Sequence, residues 1–233
     1  MFRGSIVAIV TPFKDGRIDE ESYRELIEFQ IENGTSAIVP CGTTGESATL
    51  DVKEHDRVID IAVEAVNKRV PVIAGTGGNS TSEAIALTEH AKKVGADATL
   101  QVTPYYNKPT QEGLYQHFKA IAKAVPLPQV LYNVPSRTGV NMLPETVARL
   151  AEIAEVVAIK EASGSIGQMA EIVKLAGDNI TLLSGDDNLT LPVLAIGGAG
   201  VVSVVANIVP RDSADLVMAW EEGRVDEARE LFY

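Results

Sequence analysis

Eight short apolar, β-branched runs separated by segments of helical period predict an α/β fold of the (β/α)8 barrel type. The runs Ile6–Val10, Ala37–Val39, Val70–Ala74, Ala98–Val102, Gln129–Tyr132, Val156–Ile159, Ile180–Leu183 and Val201–Val205 recur along the whole chain. They repeat every 28 residues or so, roughly one eighth of the ~250 residues typical of such a barrel. At 233 residues with 45% hydrophobic content, the chain has the length of one compact barrel and is not forced into two domains. A doubly wound open sheet is the competing architecture. The lack of a Gly-x-Gly-x-x-Gly fingerprint, and of an obvious reversal of strand order, favours closure.

Between the first and second runs, Glu20–Glu32 places Tyr23, Leu26, Ile27 and Ile31 on one helical face. Asp19 stands where an N-cap belongs and Gly34 where a C′ glycine belongs. Val52–Val66 repeats the pattern with Val58, Ile59, Ile61, Ala62 and Val66. Ser80 and Asn141 precede later helical stretches as caps or turn residues would, and Gly95 follows one as a C′ residue. A segment beginning Val225-Asp226-Glu227-Ala228-Arg229 reads as a further helix. The expected division is a catalytic barrel over residues 1–222 and the start of a C-terminal helical region over 223–233.

Composition excludes several classes of function. A net charge of −12, from 32 acidic and 20 basic residues, leaves no electrostatic footprint for nucleic acid or an anionic membrane. No apolar stretch approaches the roughly 18 residues that would cross a bilayer, and Met1-Phe2-Arg3-Gly4 is not a signal-peptide start, so a cytoplasmic location is expected. One cysteine, Cys41, and three histidines, His55, His90 and His117, offer no zinc-type cluster, and no metal is expected. An anionic substrate must then be held by local cations and amides.

On a barrel, chemistry belongs to the strand C-termini and the loops that follow them. Lys160 ends the run Val156-Val157-Ala158-Ile159. Burial there lowers an amine's pKa and makes a nucleophile able to form a Schiff base with a ketone. Snorkelling to solvent, or pairing with Glu161, is the plainer alternative. After the second run, Gly42-Thr43-Thr44-Gly45-Glu46-Ser47 offers convergent amides and hydroxyls for a carboxylate or a proton relay, or is an ordinary capped loop. Thr103-Pro104-Tyr105-Tyr106-Asn107 follows the fourth run, and Tyr132-Asn133-Val134-Pro135-Ser136-Arg137-Thr138-Gly139 closes the fifth. The phenols can pass protons or simply pack, and Arg137 can fork onto a carboxylate or stay solvated. Together, amine, hydroxyls, phenols and guanidinium above one barrel mouth suit carbonyl condensation on an acidic substrate.

With Ile159-Lys160-Glu161 and Ser184-Gly185-Asp186-Asp187, these stretches make the chain resemble the dihydrodipicolinate synthase family, a group of pyruvate-dependent class I aldolases with the TIM-barrel fold. The resemblance runs from Gly4 to the C-terminus. It implies that Lys160 forms an imine with pyruvate, and that the derived enamine attacks aspartate semialdehyde on the diaminopimelate route to lysine. It implies that Thr44 and Tyr132 relay protons, with Tyr106 reaching into a neighbouring subunit. Thr43 and Thr44 would bind the pyruvate carboxylate, Gly185 and Val202 would line its pocket, and Arg137 would hold the second substrate. No cofactor is implied beyond the covalent imine.

Homotetramers built from dimers are the family's expected assembly, and a lysine regulatory site would fall at Ser47, Ala48, His55, Asn79, Glu83 and Tyr105, with Val52 where inhibitable relatives commonly carry histidine. The alternatives are a related 2-keto-3-deoxy acid aldolase or an N-acetylneuraminate-type aldolase, whose families share the lysine and the Gly/Thr turn but do not usually carry the arginine motif. Family members continue into further C-terminal helices, so a truncated barrel that binds pyruvate but turns over poorly is a third expectation.

Overall fold

The computed structural model describes residues 2–233. Eight parallel strands form one sheet: Gly4–Ala8, Ala37–Val39, Ile73–Gly75, Ala98–Val102, Gln129–Asn133, Val156–Glu161, Thr181–Ser184 and Gly200–Ser203, here the first to eighth barrel strands. The first strand pairs with both the second and the eighth, and the third to eighth pair in chain order. The ring closes between the second and third strands through the single bridge Ile38↔Val72 and the bonds Ile38 N to Pro71 O (3.0 Å) and Gly75 N to Pro40 O (2.9 Å).

Alternation decides which side chains fill the barrel. Ile6, Ala8, Ala37, Val39, Ile73, Ala98, Leu100, Val130, Tyr132, Ala158, Leu183 and Val202 form the interior cluster. The intervening residues pack outward under the helices: Val7, Ile38 and Ala74 in one cluster, Leu131, Ile159 and Leu182 in another. The sixth strand reaches this phase by a bulge. Its partner strand pairs Gln129 with Val156 but Val130 with Ala158, so Val157 is an extra residue. Val156 thus joins the outer cluster while Ala158, and after it Lys160, take the inward phase.

The helices Glu20–Glu32 and Val52–Val66 have the bounds their periodicity predicts. Asp19 and Ser80 cap as expected, and Asp51 with Glu54 adds a reciprocal capping box. Gln30 joins the buried face of the first helix because its amide is satisfied, donating to Ala206 O and accepting from Thr35 Oγ1. Asn141 caps nothing: the helix Pro144–Leu150 has Leu143 at its N-cap, and the Asn141 side chain enters a buried amide network instead.

Most strand boundaries shift by one to three residues, and three of the shifts have an evident cause. The first strand begins at Gly4, whose N–H donates to Ala199 O. The third begins after Pro71, which has no N–H to give a ladder. The eighth ends at Ser203 because the amides of Val204 and Val205 donate to Asp187 Oδ2 (3.0 and 3.1 Å), opening a 3-10 turn. A small antiparallel ribbon, Phe13–Lys14 with Arg17–Ile18, was not foreseen. The helix Val225–Phe232 docks Leu231 and Phe232 near Leu194, Val201, Leu216 and Val217. No helix among the described residues is long and apolar enough to cross a membrane.

Closure between the second and third strands leaves no room at Gly75, where a Cβ would lie 2.1 Å from Cys41 O and 2.6 Å from Cys41 C. Both atoms are backbone, so neither can swing away. Gly75→Ala should destabilise the fold by about 2–3 kcal/mol, read as a lowered urea midpoint at unchanged slope. A wild-type midpoint would contradict this account of the seam.

Candidate active site

The fifth and sixth strands pair Tyr132 with Lys160, and both side chains turn into the barrel mouth. Lys160 is only 4% exposed. Its Nζ stands 4.3 Å from the centroid of the Tyr132 ring, within cation–π range. It does not pair with Glu161, the adjacent residue, which faces the outer side of the barrel. Burial lowers the Lys160 pKa to about 8; Asp186 and Asp187 oppose that fall and Arg137 adds to it. A substantial fraction of the amine is therefore neutral near physiological pH.

Burial pushes the Tyr132 phenol upward, so it keeps its proton; the nearby Thr43 side chain and the charge of Arg137 act against that rise, and Asp186 reinforces it. Of the two turn threonines, Thr43 is the one whose side chain acts on the phenol's pKa. The two threonines sit on a turn tied down by Thr11 Oγ1 donating to Gly45 O (2.8 Å) and by Glu46 N donating to Thr43 O (3.0 Å). Among the described residues, the amides of Thr43 and Thr44 donate to no backbone carbonyl. They are free to bind an anion.

Arg137 lies in a four-residue helix, Pro135–Thr138, is exposed, and makes no ion pair among the described residues. Gly185 lies against Lys160: a Cβ there would come within 3.2 Å of Lys160 Cγ and 2.7 Å of Ala162 Cβ. Val202 is buried in the barrel interior, in register with Ile6. Tyr106 is not brought to the site within one chain. It is 88% exposed and holds a left-handed φ of 69°.

A cavity of about 340 Å³ beside the mouth is lined by Thr43 and Arg137 and, farther along, by Ser47, Ala48, His55, Glu83 and Tyr105. Asn79 does not line it; its carbonyl accepts from Asn107 Nδ2. Nor do Lys160 and Tyr132, so this cavity adjoins the amine rather than containing it. His55 is buried, and burial holds its ring below the usual histidine range.

Two features escaped the sequence reading. Asp186, whose carboxyl is raised chiefly by burial, adds a negative charge that both Lys160 and Tyr132 feel. A polar cluster, with Asn133 and Glu161 buried and Asn141 and Gln168 half-buried, stands directly behind the Tyr132 and Lys160 pair. The only signal for it was polar residues in the outward phase of two otherwise apolar strands. The assembled site sets a partly neutral amine beside a protonated phenol, with free amides, a free guanidinium and a carboxyl at its rim. This is the equipment for condensing an amine with a keto acid.

The model of the dihydrodipicolinate synthetase family matches residues 1–232. A 4-hydroxy-tetrahydrodipicolinate synthase of Citrifermentans bemidjiense is 67% identical over 231 residues, covering 99% of this chain and 80% of that protein. The crystal structure of dihydrodipicolinate synthase from Aquifex aeolicus superposes with a TM-score of 0.98 at 53% identity, over 100% of this chain and 80% of that one. The Acinetobacter baumannii dihydrodipicolinate synthase complexed with pyruvate gives a TM-score of 0.97 at 49% identity, with the same coverage. With eight barrel strands in register, a lysine at the end of the sixth and a family match along nearly its whole length, the chain belongs to the dihydrodipicolinate synthetase family.

Proposed function

We propose that the protein is a Schiff-base-forming synthase that condenses pyruvate with L-aspartate 4-semialdehyde, yielding 4-hydroxy-tetrahydrodipicolinate for the diaminopimelate route to lysine. The observation that carries this is the buried Lys160 amine, lowered to about 8, against the Tyr132 phenol. The relative at 67% identity carries that synthase name. Lys160 Nζ attacks the keto carbon of pyruvate, Tyr132 gives the departing oxygen a proton, and water leaves as the imine forms. Loss of a proton from the methyl carbon gives an enamine, whose carbon attacks the aldehyde of the second substrate. The amino group of that substrate then adds to the imine carbon, expels the Lys160 amine and closes the ring.

In this scheme the free amides and hydroxyls of Thr43 and Thr44 hold the pyruvate carboxylate, and Thr43 links Tyr132 to the proton path. Gly185 leaves space beside Lys160, and Val202 walls the interior. Arg137 takes the carboxylate of the semialdehyde. The protonated imine on Lys160 is itself the electron sink, so the chemistry requires no metal or organic cofactor. Tyr106 serves the site of a second copy in a homo-oligomer, proposed as a homotetramer built from two dimers. The cavity residues Ser47, Ala48, His55, Glu83 and Tyr105, with Asn79 nearby, form the proposed lysine regulatory site. The proposed setting is the cytoplasm. The proposed domain division keeps the barrel over 1–222 and a C-terminal helical region from 223.

Borohydride added with pyruvate should leave a reduced adduct on Lys160, located by peptide mapping, and Lys160→Ala should leave none. Retained adduct in that variant would sink the assignment of the nucleophile. The attacking form is the neutral amine, so trapping should rise with pH through about 8 and then level off. Asp186 opposes deprotonation of Lys160, so Asp186→Asn should move this midpoint to lower pH; an upward shift would refute the placement of that charge. Arg137→Ala should raise KM for the semialdehyde by about tenfold or more while changing KM for pyruvate little. Equal rises in both would place Arg137 on the wrong substrate.

A further inference from the structure

One residue beyond the inward pair, the same two strands present an outward pair: Asn133 and Glu161 are Cα partners, and both are fully buried. Asn133 Nδ2 donates to both Glu161 carboxylate oxygens, at 3.1 and 3.0 Å. The Ser163 amide (2.7 Å) and Gln168 Nε2 (3.3 Å) supply two further donors. Asn141 Oδ1 accepts from Asn133 Nδ2 (2.8 Å) and Gln168 Nε2 (3.1 Å), while Asn141 Nδ2 donates to Gln168 Oε1 (2.8 Å). Met142 N donates to Asn133 Oδ1 (2.9 Å), which turns the Asn133 amide nitrogen toward Glu161.

None of the chain's ion pairs among the described residues includes Glu161. A buried carboxylate without a cation costs several kcal/mol in desolvation, and well-packed apolar residues of similar volume commonly serve stability as well or better. Stability alone therefore does not account for a carboxylate here. Its neighbours suggest what does: the clamp joins the two strands at the rung next to the one that carries Tyr132 and Lys160.

We propose that Asn133 and Glu161 are positioning residues, a polar clamp on the outer face of the barrel that fixes the fifth and sixth strands so that Tyr132 and Lys160 meet at working distance on the inner face. The proposal rests on the roles given above to Lys160 and Tyr132. The clamp acts through the backbone, since Glu161 touches neither side chain directly. Every group bonded to the carboxylate is a donor, so the polarity of the clamp matters as much as its shape. Glu161→Gln keeps the shape but sets an amide N–H against those donors, and Asn133 cannot invert without stranding the Met142 amide. In the double variant N133D/E161Q the polarity is reversed, with an acceptor at 133 facing a donor at 161, and Asn141 and Gln168 can turn their amides to follow.

The test begins with the wild-type chain, saturated with pyruvate and reduced with borohydride. Without an adduct on Lys160, the Schiff-base reading falls and takes the clamp with it. With the adduct in hand, Glu161→Gln should lower kcat by about 100-fold, as expected for a sub-ångström to 1 Å misplacement of reacting groups, with pyruvate KM changed by less than about threefold and a cooperative urea transition retained. N133D/E161Q should recover at least about tenfold of that loss, which a general loss of packing would not do. A kcat within about twofold of wild type in Glu161→Gln, or a double variant no faster than the single one, would overturn the proposal while leaving the Schiff-base chemistry standing. Should Glu161→Gln fail to fold, Gln168→Ala decides instead, since it removes only the half-buried donor at the rim. A kcat lowered about threefold or more at constant KM supports the clamp, and an unchanged kcat overturns it.

Discussion

The rest of the site depends on burying one ammonium-forming side chain inside an otherwise apolar barrel. Lys160 follows Ala158 and precedes Ala162 on the inner face, where only small side chains leave room for its stem. Removing the amine from water favours its neutral form, and the Tyr132 ring gives its cationic form partial compensation. Asp186 and Asp187 hold back the fall, and Arg137 deepens it. The result is poised, with the amine titrating near working pH instead of being fixed in either form. Any change that opened the mouth to water would relax the pKa toward that of an ordinary lysine and remove the nucleophile without touching its atoms.

That burial is delivered by a single extra residue. Without the bulge at Val157, strict alternation from Val156 would send Ala158 and Lys160 outward into the layer beneath the helices, and the reactive amine would never reach the mouth. The barrel thus divides its polar groups by phase. The inward phase of the fifth and sixth strands carries Tyr132 and Lys160; the outward phase carries Asn133 and Glu161, hydrogen-bonded to one another and to the loops that follow. Reacting groups are kept nearly free of hydrogen bonds that would quench them. The supporting groups are saturated with such bonds.

Much of this was legible in the sequence because barrel strands are short, evenly spaced and bounded by turn residues, and because a lysine ending an apolar run has few inexpensive explanations. The helices Glu20–Glu32 and Val52–Val66 were readable to the residue, since their apolar spacing and caps agree. Strand ends were less readable, because they are set by partners far away in sequence. Asp187 takes two amides from Val204 and Val205, and no local pattern could have announced it. The turn that carries Thr43 and Thr44 shows the same limit: two identical side chains differ only in which way the backbone points them, and that backbone is tied down by Thr11, from outside the motif, donating to Gly45 O. Glu161 looked like a partner for Lys160 because adjacency in sequence hides the fact that neighbours on a strand face opposite ways.

Tyr106 shows where a single chain runs out. A tyrosine in the left-handed region with its ring almost wholly in water incurs backbone strain of order 1–3 kcal/mol and gains nothing in exchange from its own barrel. Lys108, two residues on, is also left-handed, and Asn107 between them is held by donating from Nδ2 to Asn79 O. The loop is therefore specified, not slack, yet it presents its aromatic side chain outward. Such an arrangement makes physical sense if the ring is buried by something other than this chain, and a second copy bringing the same loop is the occupant that the proposed shared site requires. The geometry of Lys160 and Tyr132 is complete within one barrel, whereas a proton path that includes Tyr106 is not. Under the proposed sharing of Tyr106, imine formation and full turnover should depend differently on assembly, because the first would use only the inner face of one barrel and the second the loop of its neighbour.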